Sequence, residues 1–148
     1  MNRRDALIGL GGLGLVSSFV SDNAQADDRK QHHHSHFDKC AKACGECMNA
    51  CNSCFSHCST LVADGKRDHV ATMQLCNDCG DLCAVSARLC ARNGPMALIA
   101  CEACAKACDA CAKQCEKYAS DPHMKACAES CRTCAKACRE MIAHASQG

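Results

Sequence analysis

From Phe37 to Leu61, the residues that a helix would turn to one side are Phe37, Cys40, Cys44, Cys47, Cys51, Cys54, Cys58 and Leu61. The cysteines are separated by 4, 3, 4, 3 and 4 positions. That alternation is the a/d seam of a heptad, so on a helix all of these sulfurs lie on one stripe. A stripe that ordinarily carries Leu and Ile carries thiols. The pattern recurs at Cys76, Cys79, Cys83 and Cys90, at Cys101, Cys104, Cys108, Cys111 and Cys115, and at Cys127, Cys131, Cys134 and Cys138. In the second of these seams Ser86 stands where the spacing calls for a cysteine, which predicts a gap in the sulfur column.

The breaks between seams place the elements. A first helix is expected over 37–63, capped by Ser35 or Asp38 and stopped by Gly65. The second spans about 68–92 and ends at Asn93-Gly94. The third opens at Pro95, a residue suited to a first helical position, and runs to about Tyr118. The fourth follows Ser120-Asp121-Pro122 and ends near Ala145. Helices of this size are about 35–40 Å long. Connections of a few residues make successive helices antiparallel neighbours, so the fold class is all-α: an up-down-up-down antiparallel four-helix bundle with a Cys-lined core. Ala and Gly flank the seams and let the helices approach.

Composition sharpens this picture. The chain of 148 residues carries 19 cysteines, a formal net charge of +1 and 3 % aromatics. One domain is expected, and no basic patch or aromatic platform points to nucleic acid. Large apolar residues are sparse after residue 26, a composition that ordinarily signals disorder. Strong helical periodicity opposes that reading, so cysteine supplies the interior and something bound by it completes the core.

Residues 1–26 read as an export signal of the twin-arginine type. Arg3-Arg4 precede an apolar, Gly-rich run from Ala6 to Val20, and Ala24-Gln25-Ala26 resembles a cleavage site. The bulky residue usual before Leu7 is Ala6 here. The run is shorter than the roughly 20 residues of a spanning helix. Export to a bacterial periplasm is therefore the expected localisation, with no membrane segment after cleavage. Residues 27–36, including His32, His33, His34 and His36, read as a His-rich flexible linker. Residues 37–148 are expected to form the four-helix bundle, a metal-binding domain if the thiols hold ions. His36 lies four positions before Cys40, within reach of the end of the seam.

Three chemistries compete for the thiols. A disulfide framework is the default for an exported Cys-rich chain. However, an odd count leaves one thiol over, and seam neighbours have Cβ atoms about 5–6 Å apart, against the roughly 3.5–4.5 Å of a disulfide. Zinc sites pair two C-x2-C knuckles around one ion, whereas here C-x2-C and C-x3-C alternate without division into fours. Each Zn(Cys)4 site would also add a double negative charge to the core. The ferredoxin run and C-x-x-C-H are absent. Cu(I) is selected by soft sulfur ligands. Each Cu+ replaces one thiol proton, so the interior stays neutral, and capacity is on the order of 10–20 ions per chain. A type-1 copper pattern is not spelled out, and no general-base constellation appears, so no enzyme is expected. Zinc or general metal sequestration and a disulfide-stabilised structural bundle are the competing readings.

Met124 and Met141 continue the last seam, and Met73 lies three positions before Cys76. Met48 sits beside the first seam. A methionine there is either a copper ligand or a flexible core filler. Antiparallel packing gathers His57, Cys58, His69, Met73, His123 and Met124 at one end, and His36, Cys40, Met96, Met141 and His144 at the other. His57 is expected to face solvent.

These four C-x3-C/C-x2-C helices, with the twin-arginine-like start, resemble the bacterial four-helix-bundle copper storage proteins, the exported branch in particular. The resemblance covers the whole mature chain. It implies a bundle whose inward cysteines, the 19 named above, bind many Cu(I) ions. It also implies His and Met ligands near a bundle end, similar to His36, Met48 and Met141 here. The implied role is to hold copper for a copper-accepting cuproenzyme or metallochaperone, or to keep it harmless. A homo-oligomer is among the expected assemblies.

Overall fold

A computed structural model describes residues 21–146, with side chains from Ser35 onward. Four helices follow one another: α1 (Ser21–Ala63), α2 (Val70–Ala91), α3 (Ala97–Cys115) and α4 (Pro122–Ala145). Single 3-10 turns at Arg67–His69 and Glu116–Tyr118 lead into α2 and out of α3. Among the described residues there is no strand. α1 packs on α2 and α4, and α3 packs on the same two. The diagonal pairs make no close backbone contact among the described residues, so the helices form a square in chain order. This is the expected antiparallel bundle.

The seams explain the square. Each helix buries one stripe with the expected spacing: Phe37 to Cys58 on α1, Thr72 to Cys90 on α2, Ala97 to Cys115 on α3 and Met124 to Met141 on α4. All 19 cysteines are buried. Small side chains hold the helices close. Ala105 and Ala112 of α3, with Ala128 and Ala135 of α4, are buried between the thiols. On the α1–α2 side, a Cβ at Gly80 would meet Cys51 Cβ at 3.6 Å and Asn52 Oδ1 at 3.5 Å. An alanine there is accommodated, but a larger side chain forces the helices apart.

The ends are closed by recognisable stops. At the end of α1, Lys66 N–H donates to Leu61 O and Gly65 N–H to Val62 O, with Gly65 at φ 88°. This is a Schellman closure around a left-handed glycine. The same pair of bonds ends α2, Gly94 to Leu89 and Asn93 to Cys90, with Asn93 in the left-handed position at φ 48°. Because Pro95 and Met96 complete that turn, α3 opens at Ala97 rather than at Pro95. At α4, the Asp121 carboxylate caps the helix by accepting from His123 N–H and Met124 N–H, and Pro122 occupies the first turn. Tyr118 donates to Asp68 O at 3.0 Å and tilts against His69 at 4.3 Å, tying two loops together. Outside, Arg132 forks onto Glu116 at 2.9 Å and reaches Asp109, which also pairs with Arg139.

One boundary departs from expectation. α1 is described from Ser21 onward, so residues 27–36, read as a flexible linker, lie within the helix. Nothing between Ser21 and Cys44 is Pro or Gly, and Ala, Gln, Lys and Arg favour the helical state. No cap is therefore needed at Ser35 or Asp38. Most of the segment read as an export signal, residues 1–20, lies outside the described residues, and its proposed cleavage region Ala24–Ala26 is helical. No helix among the described residues is long and apolar enough to cross a membrane.

Gly65→Ala places a Cβ in the left-handed region. It is expected to cost the metal-free, reduced bundle about 1 kcal/mol, measured by urea unfolding. An unchanged midpoint would contradict the closure described here.

Candidate metal centre

The sulfurs form one continuous column. At one end Cys40 Sγ lies 3.6 Å from Cys101 and 3.7 Å from Cys138, and Cys90 meets Cys101 at 3.3 Å. Going inward, Cys44 touches Cys134 at 3.6 Å and Cys138 at 3.7 Å, and Cys83 touches Cys104 at 3.5 Å. In the middle, Cys47 reaches Cys131 at 3.6 Å and Cys108 at 3.8 Å, while Cys79 reaches Cys108 at 3.6 Å. Further along, Cys51 meets Cys131 at 3.7 Å and Cys127 at 3.9 Å, and Cys76 meets Cys111 at 3.7 Å and Cys115 at 4.0 Å. Met124 completes the column: its Sδ is 3.5 Å from Cys54 Sγ and 4.0 Å from Cys58 Sγ. All the cysteines are free thiols, which opposes the disulfide reading.

Four thiols repeatedly lie within mutual ligand reach. Cys44, Cys104, Cys134 and Cys138 form one such group, and Cys54, Cys76, Cys115 and Cys127 another. Between them the groups overlap: Cys47, Cys51, Cys127, Cys131 and Cys134 each belong to two. With metal–sulfur bonds of about 2.3 Å, a trigonal ion has sulfur edges near 4.0 Å and a tetrahedral ion near 3.8 Å. Distance alone therefore admits either geometry. Charge separates them: overlapping groups of thiolates can bridge ions of either kind, but a monovalent ion per thiolate leaves the dry core neutral, whereas Zn(Cys)4 centres stack double negative charges in it.

Protonation follows the same crowding. Neighbouring thiols donate to one another, so ionisation is shared out unevenly along the column. Hydrogen bonding with Cys108 and Cys131 holds Cys47 well below the ordinary thiol range. Cys131 is pushed up by its bonds to Cys108 and Cys111. At the end of the column, burial and then the adjoining Cys54 raise Cys58 to about 12.

The α2 seam has two hydroxyls among its thiols. Ser86 is fully buried, and its Oγ donates to Ala100 O of α3 at 3.1 Å, which confirms a gap in the sulfur wall there. Thr72 is also fully buried and accepts from Gln114 of α3 at 3.2 Å. Thr72 was not singled out in the sequence, although its place four before Cys76 extends the 4-3-4-3-4 spacing.

The flanking residues separate into two sets. Met124 and Met141 are buried on the seam. His36 is half-buried and stacks on His144, with ring centroids 3.6 Å apart. Met73 misses the seam by one position, because Thr72 occupies it. It lines an outer groove of about 490 Å³ with Phe55, Gln74, Asn77 and Asp78. Met48 is half-buried against the core, beside the column. Met96 is exposed. His57 does not simply face solvent: its Nε2 lies 2.7 Å from Asp121 Oδ2, and its ring stacks on His123 at 4.4 Å. Burial raises the Asp121 carboxyl, but its bonds to His57, His123 and Met124 outweigh that and hold it below the usual carboxylate range.

A four-helix square around an unbroken run of shared thiols defines a multinuclear, sulfur-ligated metal-binding bundle. Comparison with known proteins agrees. The copper storage protein family model matches residues 33–143, and the chain belongs to that family. No curated protein sequence matches it. Among solved structures it is similar to apo copper storage protein 3 of Bacillus subtilis, with 35 % identity, a TM-score of 0.62, and coverage of 70 % of this chain and 96 % of that one. A Cu(I)-bound structure of a copper storage protein shares 34 % identity over 72 % of this chain and 98 % of its own, with a TM-score of 0.66. A cytosolic copper storage protein of Streptomyces lividans, carrying five coppers, shares 29 % identity over 76 % of this chain and 97 % of its own, with a TM-score of 0.68. That last relative corrects the expected localisation: the match to a protein described as cytosolic overturns the exported, periplasmic reading of residues 1–26. Arg3-Arg4 and a short apolar run are local features that carry no information about the bundle, and the proposed cleavage region is continuous with α1.

Cys58 links stability to pH. Its proton is held more tightly in the fold than in the unfolded chain, so its contribution is present below its ordinary value of 9.0 and is lost as pH rises towards about 12. The metal-free bundle is expected to lose stability over that interval, and Cys58→Ser to lose less. Thermal melts at a series of alkaline pH values measure the difference, and identical slopes would oppose it.

Proposed function

We propose that this chain stores copper, holding many Cu(I) ions on the cysteine thiolates of its core, without catalysis. The observation that carries this reading is the continuous column in which single thiols belong to more than one ligand group. It supports a bridged cluster filled ion by ion. Each Cu+ displaces one proton, so filling leaves the buried charge unchanged. Family membership supports the same reading, as do the relatives, one Cu(I)-bound and one loaded with ten copper equivalents.

Within this proposal the ligands are the 19 cysteines, with the Met124 thioether serving Cys54 and Cys58. Met141 and the His36–His144 pair stand at the opposite end. Neutral thioether and imidazole groups bind Cu(I) more weakly than thiolate, and so suit ions in transit to or from the column. A copper-accepting cuproenzyme or metallochaperone is the recipient that this role requires.

Anaerobic titration of the reduced chain with Cu(I) is expected to saturate on the order of 10–20 ions. Cys47→Ser/Cys131→Ser should lower that capacity while the helical circular-dichroism signal persists. Saturation at one or two ions would rule out storage.

A further inference from the structure

The sulfur wall is broken on α2. Cys40 and Cys44 follow one another on α1 with Sγ atoms 4.0 Å apart, and Cys104 and Cys108 do so on α3 at 3.9 Å. On α4, Cys134 and Cys138 both touch Cys44, at 3.6 and 3.7 Å. On α2 the seam passes from Cys83 to Cys90 with Ser86 between them. That step covers about 10 Å of helix. Two sulfurs on one Cu(I) are at most about 4.6 Å apart, so no single ion joins Cys83 to Cys90. Ser86 does not fill the step. It is fully buried, its hydroxyl donates to Ala100 O at 3.1 Å, and a neutral oxygen is not a ligand that Cu(I) selects.

The two sides of the break differ. Cys83 is tied into the middle of the column through Cys104 at 3.5 Å, Cys108 at 3.7 Å and Cys134 at 3.9 Å. Cys90 meets Cys101 at 3.3 Å and hydrogen-bonds with Cys40, which itself meets Cys101 at 3.6 Å. Cys40, Cys90 and Cys101 thus form a triangle of thiols at the end of the column, joined to the rest through Cys44 and Cys138. We propose that Ser86 divides the copper load: the triangle holds one terminal Cu(I) more weakly than the ions of the main column. A trigonal ion has sulfur edges near 4.0 Å, so Cys90 and Cys101 need part by only about 0.7 Å to seat it. The ion displaces one thiol proton, and the end stays neutral. It lacks, however, a thiolate on α2 shared with the next ion. Partners beyond the immediate ligands are worth about tenfold or more in metal affinity, and Ser86 removes one of them.

The inference rests on the storage reading and refines it. Its test is anaerobic titration of the reduced full chain with Cu(I), at equilibrium with a competing Cu(I) chelator. The unvaried chain is expected to show a final step of about one ion, at least about tenfold weaker than those before it. Cys90→Ser should remove that step and lower capacity by about one ion. Ser86→Cys should complete the sulfur wall, raise capacity by about one ion and draw the terminal ion into the tighter pool. Ser86→Ala removes the bond to Ala100 O but adds no sulfur, so the metal-free chain should melt lower while the weak step stays. A single affinity throughout the unvaried chain's titration would overturn the inference. So would a weak step that survives Cys90→Ser, is unmoved by Ser86→Cys, or vanishes in Ser86→Ala. Each of these leaves a large capacity intact, whereas saturation at one or two ions sinks the storage reading itself, so the two failures are distinct.

Discussion

The structure depends on one constraint: the residues that hold the helices together are also ligands. A thiol is small and weakly polar and packs as a modest hydrophobe. It can therefore line a core throughout, as Leu does, without the cost of burying unpaired polar groups. Its small size brings the helices close, and closeness sets Sγ atoms 3.3–4.0 Å apart across the bundle, from Cys90–Cys101 to Cys76–Cys115. Packing and ligand spacing are the same distance, so the fold and the site are not separable parts.

Neutrality is the second consequence. A dry column cannot accumulate net charge. Thiols in contact already share protons unevenly, with Cys47 held down and Cys131 pushed up. Replacing protons one for one with a monovalent ion preserves the balance, whereas a series of divalent tetrathiolate sites does not. Where sulfur gives way, structure takes over: Ser86 and Thr72 use their hydroxyls to link α2 to α3, across Ala100 O and Gln114.

The two ends differ in character. One closes on Phe37, Ala97 and Met141, with the stacked His36 and His144 nearby. The other combines a thioether over the last thiols with a wet His–Asp–His group anchored on a helix cap. Asp121 joins these layers, since one carboxylate caps α4, positions Met124 N–H and pairs with His57. An end built this way exposes nitrogen and oxygen to water while keeping sulfur dry.

The four seams and the stops at Gly65, Asn93-Gly94 and Asp121-Pro122 are one-dimensional signals, because helical periodicity and capping act over a few residues. They determined the bundle, its order and the inward thiols from the sequence alone. The reading of residues 27–36 failed for a related reason: polarity suggested a linker, but nothing there stops a helix, and α1 runs through. Only the tertiary structure decided which flanking groups meet. Met73 falls in an outer groove, while Met124 sits on Cys54 and Cys58. His57 turns to Asp121, and the thiols of four helices merge into overlapping groups. These outcomes depend on how far each helix is rotated and shifted against its neighbours, which spacing within a single helix does not contain.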